Sequence, residues 1–344
     1  MIIDLRLQNF RSYTDESFEF SPGVNIIVGP NASGKTNLLE AVLVLARGSS
    51  YRVKDTELIQ FTAPWARLDA HMEHGGERIM KIVSEPTPGK RFDIDGKLYK
   101  RLTLAHTLPV VLFEPNHLQL LSGSPEGRRT YLDDLLEQTV SGYGTLRRQY
   151  KRTLAQRNAL LKQSPHTVTQ LFPWNVRLSE LAGQIVRQRC RLVAQMAEQL
   201  PSLYESLSHT ATKTALSYKA QWSAESYESN LLKKLEMSTE LDAVRGFTSA
   251  GPHREDITVL FNTHPADETA SRGEIRTLVL ALKILELEII RAARESTPLL
   301  LLDDVFSELD GSRRRALTTY LQQYQTFITT TDADVVLQNF TESA

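Results

Sequence analysis

Along the first third of the chain, apolar positions come in short runs separated by turn residues, the signature of strands rather than helices. Ile2 to Leu7 and Phe18 to Phe20 are strand-like, Ser21-Pro22-Gly23 is a turn, and Val24-Asn25-Ile26-Ile27-Val28 has the β-branched, apolar character of a buried strand. That strand runs straight into a glycine-containing loop, and Leu38 to Ala46 follows as an apolar helix. From Arg67 to Tyr99, strand-like stretches alternate with Gly75-Gly76, Pro88-Gly89 and Asp95-Gly96 turns, which predicts an antiparallel sheet beside the first strands. Val110-Val111-Leu112-Phe113 reads as one more buried strand.

After Pro125 the pattern changes. Stretches such as Tyr143 to Leu161 and Ser179 to Leu200 repeat their apolar residues at helical spacing and are almost free of glycine. Strand character returns at Ile257 to Phe261. A long helix is expected from Gly273 to about Arg294, stopped near Pro298, and Leu299 to Asp303 is a short, wholly apolar strand ending in an acid. Phe327-Ile328-Thr329 is the last expected strand. The alternation places the chain in the α/β class, with a largely α-helical second domain inserted into an α/β core. The predicted boundaries are residues 1–115 and 296–344 for the core and 116–295 for the second lobe.

Composition narrows the class. A chain of 344 residues, 41% hydrophobic and 24% charged, has ample core to fold unaided. Its net charge of −1 gives no overall attraction to nucleic acid, although a local basic face is compatible with that total. Cys190 is the single cysteine, so no internal disulfide can form, and no Cys/His spacing suits zinc. The sequence shows no secretory signal, and its most apolar stretches are too short or too charged to cross a bilayer, so a soluble cytoplasmic protein is expected.

The chemistry concentrates in a few places. Gly29-Pro30-Asn31-Ala32-Ser33-Gly34-Lys35-Thr36 matches the phosphate-binding pattern G-x-x-x-x-G-K-[ST] in full and sits between a buried strand and a helix. The glycines let successive N–H groups turn toward phosphate oxygens, Lys35 supplies a point charge, the Thr36 hydroxyl can ligate Mg²⁺, and the helix from Asn37 adds its dipole. Leu299-Leu300-Leu301-Leu302-Asp303-Asp304 supplies carboxylates where ligands bind in open α/β sheets. In an ATP site, Asp303 would hold Mg²⁺ through water and Asp304 would polarise the attacking water. Ser271-Arg272-Gly273-Glu274 opens the long helix and reads either as a simple N-cap or as an anion site made by a helix N-terminus.

The order of these pieces (phosphate loop, insert, Ser-x-Gly helix start, strand-Asp-Asp, then Ser307-Glu308-Leu309-Asp310) is that of the ATP-binding-cassette ATPases. Within that class the chain closely resembles the RecF family of DNA replication and repair proteins over nearly its whole length. The resemblance is carried by Asn9-Phe10-Arg11-Ser12-Tyr13, the phosphate loop, Gly48-Ser49-Ser50-Tyr51-Arg52, Gly123 through Leu135, Gly251-Pro252-His253-Arg254, Ser271 to Leu285, Leu301 to Asp310 and Thr329-Thr330-Thr331. SMC heads share the architecture but carry very long heptad arms, for which this insert has no room.

The resemblance implies an ATP-dependent clamp on double-stranded DNA, with ATP and Mg²⁺ as cofactors and slow hydrolysis. It implies an ATP-induced homodimer in which Ser271 and Gly273 of one protomer close over the γ-phosphate held by the other, and places Arg11 and Asn37 beside the nucleotide. It further implies work with RecR and RecO at gapped DNA, where RecA recombinase is placed. The chain departs from the family at Arg272 and Glu274, where glutamine is usual. The loop Phe113-Glu114-Pro115-Asn116 lacks the glutamine that many cassette ATPases use there, and Asp304 is one methylene shorter than the glutamate of transporters. For DNA, twelve Lys or Arg against four acids between Arg128 and Arg191 suit either a phosphate-facing helical surface or a solvated helix face. The candidates there are Arg128, Arg129, Arg147, Arg148, Lys151 and Arg152. A transporter ATPase subunit and an ATP-gated nuclease are the rival readings.

Overall fold

The structure is a computed structural model and describes residues 1–163 and 170–332. The chain forms two compact units, residues Met1–Leu118 with the chain from Glu286 onward, and residues Gln119–Leu285. The divisions fall at 118/119 and 285/286, against the expected 115/116 and 295/296. The second lies inside a helix, because that helix continues unbroken past Leu285 and its last turns bond with residues of the first unit. Residues 333–344, assigned to the core from sequence, lie outside the described residues.

The first unit opens with β1 (Ile2–Phe10), β2 (Tyr13–Glu19) and β3 (Val24–Val28), followed by helix α1 (Lys35–Arg47). β4 (Trp65–Met72), β5 (Glu77–Val83), β6 (Gly89–Ile94), β7 (Lys97–Tyr99) and β8 (Val110–Phe113) follow. The second unit contains α2 (Pro125–Thr139), α3 (Tyr143–Leu161), α4 (Phe172–Ser208), β9 (Thr214–Lys219), α5 (Tyr227–Met237), α6 (Thr239–Arg245), β10 (Asp256–Phe261), β11 (His264–Pro265) and α7 (Ala266–Thr269). Helix α8 (Arg272–Arg294) leads back to the first unit, completed by β12 (Leu299–Asp303), α9 (Val305–Glu308), α10 (Gly311–Leu321) and β13 (Thr326–Thr330).

Among the described residues of the first unit, an antiparallel sheet runs in the order β2-β1-β4-β5-β6-β7, and a parallel sheet in the order β3-β13-β12-β8. Helix α1 packs against β13, β12 and β8 of the parallel sheet and against β5 of the antiparallel one. That position explains its composition: Leu38, Leu39 and Ala41 through Ala46 are all buried, as expected of a helix apolar all round. β12 is buried at every position because β13 and β8 flank it, the pattern of a central parallel strand. In β4 and β5 of the antiparallel sheet the alternation is clean. Ala66, Leu68, Met80, Ile82 and Phe92 join the core with Leu5, Leu7 and Phe327, and the intervening residues face outward.

The second unit packs α3, α4 and α5 around Tyr150, Leu178, Leu181, Ile185, Tyr227, Leu231 and Leu235. A local signal starts α2: Ser124 caps it through Gly127 N, with Pro125 at the first helical position. Charged groups are buried in this core in matched sets. Arg157, 0% exposed, donates to Asn175, Asp242, Thr248 and the Leu235 carbonyl. Arg189 donates to Asp133 and to the Pro252 carbonyl, and Glu255 accepts the hydroxyls of Tyr218 and Tyr227. Burial lowers the His253 pKa to about 4, so the ring is neutral at pH 7. It accepts the Tyr150 hydroxyl at Nδ1 (2.6 Å) and donates from Nε2 to the Thr248 carbonyl (3.1 Å). The sequence block Gly251-Pro252-His253-Arg254 is thus a structural hub of this unit.

Removing one partner of a fully buried pair strands the other charge. Asp242→Ala is expected to cost about 3–5 kcal/mol of unfolding free energy, read as a fall in the urea midpoint of the transition that reports on the second unit.

Candidate functional site

β3 delivers the chain to the loop 29–34 at the carboxyl edge of the parallel sheet. Two residues there hold positive φ, Ala32 at 65° and Gly34 at 98°. Gly34 is the N-cap of α1, and a Cβ on it would meet Tyr13 Oη and Ser12 Oγ at 3.0 Å. The Tyr13 hydroxyl donates to the Gly34 carbonyl at 3.0 Å, which anchors the loop to β2. A Cβ on Gly29 would stand 2.7 Å from Ser33 Oγ, so the start of the loop is equally tight. No side chain caps α1. Its first-turn N–H groups and the positive end of its dipole therefore face an exposed loop, the arrangement that attracts phosphate. Lys35 folds back over that loop, donating from Nζ to the carbonyls of Gly29 (2.6 Å) and Pro30 (2.8 Å). Pro30, Asn31, Ala32 and Ser33 are exposed around it.

The carboxylates come from the far end of the chain. Asp303, 8% exposed, ends β12, and its Oδ1 accepts the Thr36 hydroxyl at 3.0 Å and the Thr329 hydroxyl at 2.8 Å. Thr329 is the cross-strand partner of Asp303 on β13. Its oxygen also accepts the Asp304 N–H at 3.0 Å, so one hydroxyl ties both acids. Asp304 holds φ 53° and accepts the Ser307 hydroxyl at its carbonyl (2.6 Å) and at Oδ1 (3.3 Å). A left-handed aspartate at a sheet edge is backbone strain of the kind kept at working sites. Thr36 and Asp303 offer hard oxygen donors, which fit Mg²⁺, an ion that takes few protein ligands and keeps waters and phosphates for the rest. Among the described residues no group of three or more His, Cys, Asp or Glu forms a closed metal cluster.

Around this centre the structure adds Glu40, Glu114 and Thr329, which sequence reasoning did not assign, and gives the expected Arg11 and Asn37 protein partners. Arg11, at φ 53°, makes a two-pronged pair with the buried Glu40 of α1 (2.8 and 3.1 Å), which also accepts Ser50 Oγ. Asn37 donates to Ser12 at 3.0 Å. Arg11 and Asn37 thus bind the Asn9–Tyr13 segment to the helix behind the loop. Glu114 follows β8 and accepts the Tyr51 hydroxyl at 2.6 Å; burial, then Glu114, raise the Tyr51 pKa. Because Phe113 pairs with Leu302, Glu114 and Asp303 leave adjacent strands at the same sheet edge. The position that lacked a glutamine therefore carries an oriented carboxylate. An acid in the otherwise apolar run of α1 was the available signal for Glu40, and a threonine closing an apolar strand was the signal for Thr329.

The remaining predicted residues belong to the second unit. Ser271 and Glu274 form a reciprocal capping box at the start of α8, with Ser271 N donating to Glu274 Oε2 (2.7 Å) and Glu274 N to Ser271 Oγ (3.3 Å). Gly273 lies in the first turn of that helix, and Ser271 is exposed. The basic candidates divide. Arg128 is held by Asp256 (2.7 Å) and three carbonyls, Arg129 donates to the Glu255 carbonyl, and Arg147 pairs with Asp133, Asp134 and Glu137. Arg148, Lys151 and Arg152 are exposed on one face of α3.

Known proteins match this chain throughout. The family described as the RecF/RecN/SMC N terminal domain matches residues 1–342. The DNA replication and repair protein RecF of Heliobacterium modesticaldum is 34% identical over 339 residues, 95% of this chain and 91% of the relative. The chain belongs to the RecF family. A RecF-family relative from Synechococcus sp. is 36% identical over 344 residues, covering 95% of this chain and 90% of its own. A solved structure described as the recombination mediator protein RecF-ATPrS in the RecFOR pathway aligns with TM-score 0.90 and 29% identity, over 98% of this chain and 94% of its own. RecF-ATP of the same pathway aligns with TM-score 0.85 and 29% identity, over 96% and 92%. Among the described residues no helix is long and apolar enough to cross a membrane.

The glycine that turns the loop into α1 gives a direct test. Gly34→Ala forces an L side chain into φ 98° against Tyr13 and is expected to cost about 1–3 kcal/mol locally. Isothermal titration should show at least a tenfold weaker nucleotide affinity, with the far-UV spectrum unchanged.

Proposed function

We propose that this chain is an ATP-switched DNA-binding protein of replication and recombinational repair, hydrolysing ATP slowly. The observation that carries the reading is the meeting of Thr36, from the phosphate loop, with Asp303, from a strand 267 residues later, at 3.0 Å. Family membership and the nucleotide named in the matched structures support the same conclusion.

In this reading the loop Gly29–Thr36 and the first turn of α1 bind the phosphates, and Lys35 exchanges its carbonyl partners for phosphate oxygens. Thr36 and Asp303 would hold Mg²⁺, which when bound neutralises phosphate charge and polarises the scissile group. Asp304, fixed by Thr329 and Ser307, orients the attacking water. Its short side chain is consistent with slow turnover. Arg11 acts through Glu40 and keeps the loop and helix in register. Ser271 and Gly273 present a second helix N-terminus to the γ-phosphate of a nucleotide held by another copy, so that ATP joins two protomers head to tail. Arg148, Lys151 and Arg152 supply a phosphate-facing row on α3 for double-stranded or gapped DNA. Arg128, Arg129 and Arg147, already engaged, shape that unit. The RecFOR pathway named for the structural relatives supports cooperation with RecR and RecO, and work with RecA is what the family resemblance implies.

Light scattering tests the switch. With ATP, Mg²⁺ and duplex DNA the mass should double at micromolar protein, and with ADP it should not. Lys35→Met should abolish the doubling, whereas Asp303→Asn should keep ATP binding within about tenfold and lower hydrolysis at least about a hundredfold. A species that stays monomeric with ATP and DNA refutes the clamp.

The two uses of Ser271 can be separated. Aspartate caps helices as well as serine does, so Ser271→Asp should leave thermal stability within about 0.5 kcal/mol while placing a negative charge where the γ-phosphate would arrive. Loss of ATP-driven mass doubling with retained nucleotide affinity is the expected result; unchanged doubling would reduce Ser271 to a cap.

A further inference from the structure

The outward face of the antiparallel sheet carries a charge arrangement that the nucleotide site does not use. Arg67 on β4 is the direct cross-strand partner of Lys81 on β5, and Lys81 is the partner of Arg91 on β6. Directly opposed residues share a face, and the neighbours of this row (Ala66, Leu68, Met80, Ile82, Phe92) fill the core on the other side. Three cations therefore stand side by side across three strands. Like charges placed directly opposite each other destabilise a sheet, so such a row calls for an explanation.

The protein neutralises the row incompletely. Arg67 pairs with Asp69 at 2.7 Å, and the Lys81 ammonium lies 5.5 Å from the centre of the Trp65 ring. Arg91 and Lys100 are exposed and make no ion pair among the described residues. All four line a concavity of about 690 Å³ at this face, in which Asp93 is the only acid. Lys90 also lines it but is committed to Asp55 and the Gly48 carbonyl.

The charge of this face and its extent fit a polyanion. Adjacent strands lie about 4.8 Å apart, so the row spans about 10 Å. Duplex DNA presents an unbroken line of phosphates, one per ~3.4 Å of helix axis on each strand, so a basic surface of this extent meets more than one phosphate. Lys81 lies over a face of the Trp65 ring, so that face is not offered to a base. We propose that this face docks the phosphodiester backbone of duplex DNA, with Lys81, Arg91 and Lys100 as phosphate contacts. The proposal rests on the reading that the chain binds DNA and adds a second surface, in the first unit, to the row on α3.

The test uses the full chain with Lys81→Gln, Arg91→Gln and Lys100→Gln combined, in ATP and Mg²⁺, with duplexes of unrelated sequence and salt from 50 to 200 mM. The slope of log affinity against log salt should become shallower by about 2–3, since each lost phosphate contact removes about 0.9. Affinity at the lowest salt should fall at least tenfold for every sequence, and ATP-driven mass doubling should persist. The thermal midpoint should hold or rise, because like-charge repulsion is relieved. A variant with the wild-type slope, or one that loses DNA only because it no longer doubles in mass, overturns the surface and leaves the proposed function standing. A lowered midpoint refutes the repulsion argument. Unchanged DNA binding with weakened binding to polyglutamate would assign the face to an acidic protein instead. Failure of the unaltered protein to bind DNA in ATP would remove both readings together.

Discussion

The first unit depends on a charge held at the inner end of a strand. Asp303 is nearly buried, and a carboxylate there is tolerable only because hydroxyls from Thr36 and Thr329 satisfy one of its oxygens. The two hydroxyls belong to segments almost three hundred residues apart, so the same bonds that solvate the acid also close the chain on itself. The apolar run of β12, the placement of α1 between two sheets and the left-handed turn at Asp304 all serve to bring that carboxylate to the phosphate loop.

The second unit solves a different problem by similar means. Its helices bury arginines that a purely apolar core would exclude, and each is matched: Arg157 to Asp242, Asn175 and Thr248, and Arg189 to Asp133 and a carbonyl. Such networks contribute little net stability against an apolar alternative, but they are expensive to break singly. Gly251-Pro252-His253-Arg254 sits at their junction: the Pro252 carbonyl accepts from Arg189, and His253 links Tyr150 to Thr248, which also binds Arg157.

Much of this was legible in the residues. The strand–loop–helix of 24–47 and the strand ending at Asp303 were readable because motif and hydrophobic pattern coincide in each. The antiparallel turns at Gly75-Gly76 and Asp95-Gly96 marked β4 to β7. The capping alternative at Ser271 was also visible, since Glu274 stands three residues on. Other features were hidden by distance. β9 alternates weakly and is recognisable only through its pairing with β10, some forty residues later. The excess of Lys and Arg between residues 128 and 191 suited either a phosphate-facing surface or a solvated helix face, yet Asp256 and the Glu255 carbonyl, well outside that stretch, claim Arg128 and Arg129. Charge counting cannot see a partner supplied by the fold. Likewise, Glu114 stood out in sequence as a missing glutamine, and only the sheet register reveals it beside Asp303 with Tyr51 on its carboxylate.

The reciprocal bonds between Ser271 and Glu274 have a consequence for reversibility. The Ser271 N–H that already donates to the Glu274 carboxylate must surrender that bond before it can serve an incoming anion, and a cap of this kind is worth about 1 kcal/mol. Any grip made through this helix tip starts with that handicap and regains it on letting go. In the proposed dimer, a latch so built would open by itself once its ligand is shortened by one phosphate, which would suit a machine that must leave its track as readily as it boards.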